Sequence, residues 1–132
     1  MEGGQTNEFR PLILVAEDDD SNFKLIKAII GKKCDIQWAK NGEEIVALFK
    51  EYGNEAKAIL MDIKMPVMDG IEALKEIRRH TTQLPVIMQT AYAFSSDKEN
   101  AMNAGASEVL VKPITLSILR NTLTKYFPEL VW

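Results

Sequence analysis

The chain has 132 residues, 46% hydrophobic and 27% charged, with a net charge of −3 and a pI near 5.2. That suffices for one globular domain with a real core and leaves no room for a second substantial one. The mild acidity excludes direct nucleic-acid binding as the main role, since phosphate-backbone binding needs a basic face. No apolar run approaches the roughly 20 residues of a membrane span, and the N-terminus lacks a signal-peptide core. These features point to a cytoplasmic domain that makes no membrane contact itself.

In chain order, Met1 to Arg10 is polar and aperiodic and reads as a flexible leader or linker. The domain itself is expected over residues 11–127. Leu12 to Ala16 is a continuous apolar run of strand length, as in a central parallel strand covered on both faces. It ends on Glu17-Asp18-Asp19-Asp20. Asp20 or Ser21 can cap a first helix whose apolar positions Phe23, Leu25, Ile26, Ile29 and Ile30 run to Gly31. Cys34, Ile36 and Trp38 alternate with polar residues, which marks an edge strand. As the single cysteine, Cys34 excludes an intrachain disulfide and reads as a buried structural thiol.

Asn41-Gly42 reads as a turn before a second helix with Ile45, Leu48, Phe49 and Tyr52 inward, closed near Gly53. The third strand, Ala58 to Met61, stops abruptly on Asp62, and Pro66 and Gly70 mark the loop that follows. Asp69 is the candidate cap of a third helix with Ile71, Leu74 and Ile77 inward. The single histidine, His80, reads as a solvated residue at that helix's end, favourable to its dipole. It cannot by itself build a histidine metal site or a Ser-His-Asp arrangement.

Pro85 to Gln89 is the fourth strand, with Thr90 at its end. Ser95 or Ser96 opens a fourth helix whose stripe, mostly alanine and Met102, is weak, so this helix is expected to be the most mobile. Val109 to Val111 is a short fifth strand ending on Lys112-Pro113. Thr115 caps a last helix through Leu116, Leu119, Leu123 and Phe127, and Pro128 to Trp132 is a tail.

Five strands alternating with five helices imply a parallel, doubly wound α/β sheet. The flavodoxin-like order 2-1-3-4-5 fits best, because it puts the alternating second strand at an edge and the first and third strands side by side. Glu17 and Asp18 then meet Asp62 at the carboxyl ends of the strands, where such folds bind their ligands. Converging carboxylates repel unless a cation joins them, and the natural one is a hard divalent ion, Mg²⁺ or Mn²⁺. The same acidity argues against a flavin or nucleotide phosphate site. Four of the five strands end on a group useful to one reaction, in the order acids, Asp62, Thr90 and Lys112. A carboxylate nucleophile, a metal, a hydroxyl and an ammonium are the parts of in-line phosphoryl transfer onto an aspartate.

These residues resemble the receiver domains of two-component response regulators and hybrid histidine kinases. The matching motifs are Ile13 to Asp18, Met61 to Gly70, Thr90-Ala91 and Val111-Lys112-Pro113, and the likeness runs from about Pro11 to Phe127. It implies a phosphoacceptor at Asp62, served by the phosphohistidine of a partner histidine kinase or histidine phosphotransfer domain. It also implies Mg²⁺ ligated by Asp18, Asp62 and the Lys64 carbonyl with Glu17 acting through water, contacts from Thr90 and Lys112 to the phosphoryl oxygens, and a cis Lys112-Pro113 bond.

A receiver of this kind catalyses its own phosphorylation and dephosphorylation without being an enzyme in the ordinary sense, and it switches a surface read by a downstream protein. One departure is Val109, where many receivers carry an aromatic switch residue. Tyr92 is the candidate for a related role and, with Lys64, for controlling water access to the acyl phosphate. The rival readings are an aspartate-nucleophile phosphohydrolase, which generally wants a second acid where Lys64 stands, and a degenerate receiver that works without phosphorylation. The chain reads as a receiver cut from a longer hybrid kinase rather than as a stand-alone protein.

Overall fold

The structure, a computed structural model, describes residues 9–92 and 96–132. Its elements are β1 (Leu12–Ala16), α1 (Asp20–Ile30), β2 (Asp35–Ala39), α2 (Gly42–Tyr52), β3 (Ala56–Asp62), α3 (Gly70–Arg78), β4 (Val86–Thr90), α4 (Ser96–Asn103), β5 (Glu108–Val111) and α5 (Leu116–Tyr126). All strand pairings are parallel, in the order β2-β1-β3-β4-β5, which is the expected doubly wound arrangement with β2 at an edge.

Strand alternation divides the core in two. Leu14, Ile59, Met61 and Met88 face α2, α3 and α4, and pack with Ile45, Phe49, Leu74, Ile77 and Ala101. Ile13, Val15, Leu60 and Ile87 face α1 and α5, and pack with Ile26, Ile30, Leu119 and Leu123. The central strands are buried on both faces, which is why they read as unbroken apolar runs. Cys34 is buried in the second layer, and its burial pushes the thiol up to about 11.

Helix starts are fixed by side chains that satisfy the otherwise orphaned first amides, each worth about 1 kcal/mol. Asp19, Asn41, Asp69 and Thr115 accept from the N–H of Asn22, Glu44, Glu72 and Ile118. Two expectations change here. The α1 cap is Asp19 rather than Asp20 or Ser21, and Asn41-Gly42 is a helix start rather than a free turn.

The helix stripes also differ in detail. Leu25 and Leu116, assigned inward by periodicity, are half exposed, and Met102 is exposed so that only Ala101 anchors α4 among its buried positions. The alternative α4 start at Ser95 lies outside the described residues, as do Met1 to Glu8.

Segments placed in the leader and tail pack on the domain. Phe9 meets Phe127 at 6.1 Å, Leu130 is buried in the second layer, and the Trp132 indole donates to Thr124 Oγ1 at 3.0 Å. Among the described residues, no helix is long and apolar enough to cross a membrane.

Candidate functional site

Register puts the site together. Ala16 pairs with Met61 and Asp62 with Gln89, so the residues that follow β1, β3 and β4 emerge side by side at the carboxyl edge. Oxygens of Glu17, Asp18 and Asp62 lie within 4.8 Å of one another, with Glu17 and Asp62 buried and Asp18 exposed. From β5, Lys112 Nζ reaches across to Asp62 Oδ2 at 2.7 Å and to Glu17 Oε1 at 3.7 Å. The Lys112-Pro113 bond is cis.

Glu17 has no solvent exposure at all. Its Oε2 accepts from the Asp19 N–H at 3.2 Å, while Oε1 has no hydrogen-bond partner among the described residues. Burial first, and the Asp62 charge second, push this carboxyl up to about 7 against the pull of Lys112. Burial by itself would lower the Lys112 ammonium. The Asp62 hydrogen bond and the charges of Asp62 and Glu17 outweigh that and hold it above its usual range. Three hard oxygen donors, one of them orphaned and buried, fit a divalent ion such as Mg²⁺.

The loop after β3 is shaped around Asp62. Asp62 Oδ1 accepts from the Lys64 N–H at 3.3 Å, and the Gly70 N–H returns to the Ile63 carbonyl at 2.8 Å. A Cβ at Gly70 would meet the Asp62 carbonyl oxygen at 2.2 Å, so only glycine allows this closure. Gly42 pins the same loop from α2, its N–H donating to the Met68 carbonyl at 2.8 Å. Between them Val67 is held at φ 69°, an unusual conformation for a β-branched residue.

The remaining candidates fall at different distances from the acids. Thr90 is buried at the end of β4, and its Oγ1 accepts from the Tyr92 N–H at 3.1 Å. The Tyr92 side chain is exposed. Lys64 Nζ lies 3.7 Å from Asp97 Oδ1, so its side chain leans toward α4. Val109 is partly buried against the first core layer, on the strand that leads to Lys112.

Sequence reasoning missed Trp38, whose indole N–H donates to the Glu17 carbonyl at 2.8 Å; alternation gives its face but not this contact. It also missed Gln89. That side chain is buried, its Nε2 lacks a partner among the described residues, and it lines a cavity of about 290 Å³ walled by Leu25, Ile26, Ile29, Pro113 and Ile114.

Known proteins resemble this chain in sequence and fold. Hybrid signal transduction histidine kinase I of Dictyostelium discoideum is 35% identical over 129 residues, covering 89% of this chain and 7% of that protein. This chain therefore spans only a small part of that relative's length. The receiver domain of the Pseudomonas aeruginosa sensor histidine kinase PA1611, described with magnesium coordinated in its active-site cleft, is 30% identical. It has a TM-score of 0.83 and covers 90% of this chain and 98% of that one. A chain of the Saccharomyces cerevisiae co-crystal structure of the phosphotransfer protein Ypd1 with the Ssk1 receiver domain has a TM-score of 0.83 and 28% identity. Coverage is 96% of both chains. The model of the response regulator receiver domain family matches residues 13–124. With the acids, the aspartate and the lysine meeting at one sheet edge and that match spanning nearly the whole fold, the chain belongs to the response regulator receiver domain family, the receivers of two-component and phosphorelay signalling.

Proposed function

We propose that Asp62 accepts a phosphoryl group from the phosphohistidine of a partner histidine kinase or histidine phosphotransfer domain. A bond forms between phosphorus and an Asp62 carboxylate oxygen as the phosphorus–nitrogen bond breaks, and the imidazole leaves with the electron pair. The observation that carries this reading is the pairing of Lys112 with Asp62 at 2.7 Å beside an acid cluster that has an unsatisfied oxygen.

Asp18, Asp62 and the Lys64 carbonyl would hold Mg²⁺, or Mn²⁺ in its place, with Glu17 acting through water. When bound, the ion offsets negative charge on the acids and the phosphoryl oxygens. Lys112 gives up its bond to Asp62 and turns to the incoming phosphoryl oxygens, and the Thr90 hydroxyl is available to a third oxygen. Lys64 and Tyr92 are assigned to limiting water access. With Val109 in place of an aromatic, movement of Thr90 and its loop carries the switch to a downstream protein. On this reading the chain promotes its own phosphorylation and dephosphorylation, in the cytoplasm, without turning over a free substrate.

The apolar cavity between α1 and the loop after β5 supports a protein donor. It borders Lys112, so a partner helix seated on Leu25, Ile29 and Pro113 would stand beside Asp62. The Ssk1 receiver's co-crystal with a phosphotransfer protein is consistent with such a donor.

Intact mass spectrometry after acetyl phosphate treatment tests the reading. The expected result is gain of one phosphoryl group that requires Mg²⁺ and is lost in Asp62→Asn. Leu25→Asp should block transfer from a phosphohistidine protein while leaving acetyl phosphate labelling intact. Turnover of small phosphomonoesters, or Mg²⁺-independent labelling, would contradict it.

A further inference from the structure

Glu17 lies one residue beyond the end of β1, where the ladder to β2 runs out. Its N–H still donates to the Ala39 carbonyl at 2.9 Å. Among the described residues its carbonyl finds no backbone donor on β2, because the next ladder position after Ala39 would be Asn41, where the chain has left the sheet to cap α2. The Trp38 indole takes over, donating to that carbonyl at 2.8 Å. The peptide joining Glu17 to Asp18 is thus held by a side chain rather than by the sheet.

The indole is itself fixed. Phe23 of α1 stacks on it at 4.0 Å between centroids and 2° between planes, and Lys40 Nζ lies 4.8 Å from its centroid. Lys40 in turn lies 3.4 Å from Asp20 Oδ1, in the first turn of α1. One aromatic side chain therefore ties β2, α1 and the acid-bearing turn together.

The geometry points to Trp38 as a positioning residue for the divalent-cation site. Its N–H sets the orientation of the Glu17–Asp18 peptide and so the direction in which the two carboxylates leave the backbone. The acids are aimed before a cation arrives, and the ordering cost of binding falls accordingly. Partners of this outer kind typically change metal affinity by 10- to 100-fold, and one acting through the backbone belongs at the lower end. This inference rests on the proposed Mg²⁺ site.

Calorimetric titration of the protein with MgCl₂ tests it. Trp38→Phe keeps an aromatic ring, though a smaller one, for the Phe23 stack and removes the N–H; it should raise the Mg²⁺ Kd about tenfold. Phe23→Leu leaves the N–H but loosens the stack, and should raise the Kd by a smaller, measurable factor. In the wild type, the Trp38 indole proton resonance should shift on Mg²⁺ addition, and in Asp18→Asn it should stay put. A merely structural role would lower the urea midpoint in both aromatic variants without moving the Kd or that resonance. Trp38→Phe with a Kd within twofold of wild type overturns the inference; if that variant does not fold, an unchanged Kd in Phe23→Leu does so. Absence of Mg²⁺ binding by the wild type would instead overturn the metal site on which the inference rests.

Discussion

At the amino end of the sheet Arg10 and Arg78 are each met by several acceptors, whereas at the carboxyl end one lysine is shared by two acids and a buried acid oxygen has no hydrogen bond among the described residues. Arg78, closing α3, donates to the carbonyls of Gly105 at 2.9 Å and Leu84 at 2.7 Å. Arg10 donates to the carbonyls of Gly31 and Lys32 and to Asp35, capping the end of α1. Lys112 has Asp62 at 2.7 Å and Glu17 at 3.7 Å, and Glu17 Oε1 is left over. The same kinds of charge stabilise loops at one pole and are kept under-satisfied at the other. Strain joins them there, in Val67 at φ 69°. The amino pole holds the fold, and the carboxyl pole stores an imbalance that the proposed cation and phosphoryl group would relieve.

The largest effect is expected at Arg78. Arg78→Ala strands the loop carbonyls it holds, those of Gly105 and Leu84 among them, and should lower stability by about 3 kcal/mol in urea unfolding, with the Mg²⁺ Kd unchanged. A change in Mg²⁺ affinity would show that the poles are not separable.

Glu17→Gln probes the other pole and should act in the opposite direction. The folded carboxyl is raised from its ordinary 4.5 to about 7, so the folded state binds more protons than the unfolded one between those values. Stability of the metal-free wild type should therefore fall as pH rises from 4.5 to about 7, then level off. Gln cannot ionise, so the variant should lack this slope and be about 1–2 kcal/mol more stable at pH 8, while binding Mg²⁺ more weakly. Denaturation at several pH values in chelator checks the sign.

The smallest effect is expected at Val67. Its side chain is exposed and its backbone left-handed, so Val67→Gly should add about 0.5–1 kcal/mol of stability by removing the strain. Unchanged stability would mean that the loop carries no strain at this position.

The two poles also differ in how far sequence revealed them. The carboxyl pole was legible because its groups end apolar strands: Asp62 after Met61, Thr90 after Gln89, Lys112 after Val111. Strand order then placed Glu17 and Asp18 beside Asp62. The amino pole was not legible, since Arg10 and Arg78 act through long side chains on carbonyls from 6 to 27 residues away, which no local pattern encodes. Trp38 was hidden for the same reason. The α1 cap was ambiguous because Asp19, Asp20 and Ser21 can all cap, and only the backbone angles of the turn select Asp19. Leu25 and Leu116 show the limit of periodicity, which identifies a stripe without saying how far the neighbouring element covers it.

The acids at the carboxyl pole repel one another, and on the proposed reading a divalent cation joins them. Urea unfolding of the wild type at pH 8, in chelator and in MgCl₂ at a hundredfold excess over its Kd, tests this most directly. A stabilisation of about 2.7 kcal/mol is expected from ligand binding to the folded state, and it should be lost in Asp18→Asn. Equal stability with and without Mg²⁺ would contradict the account.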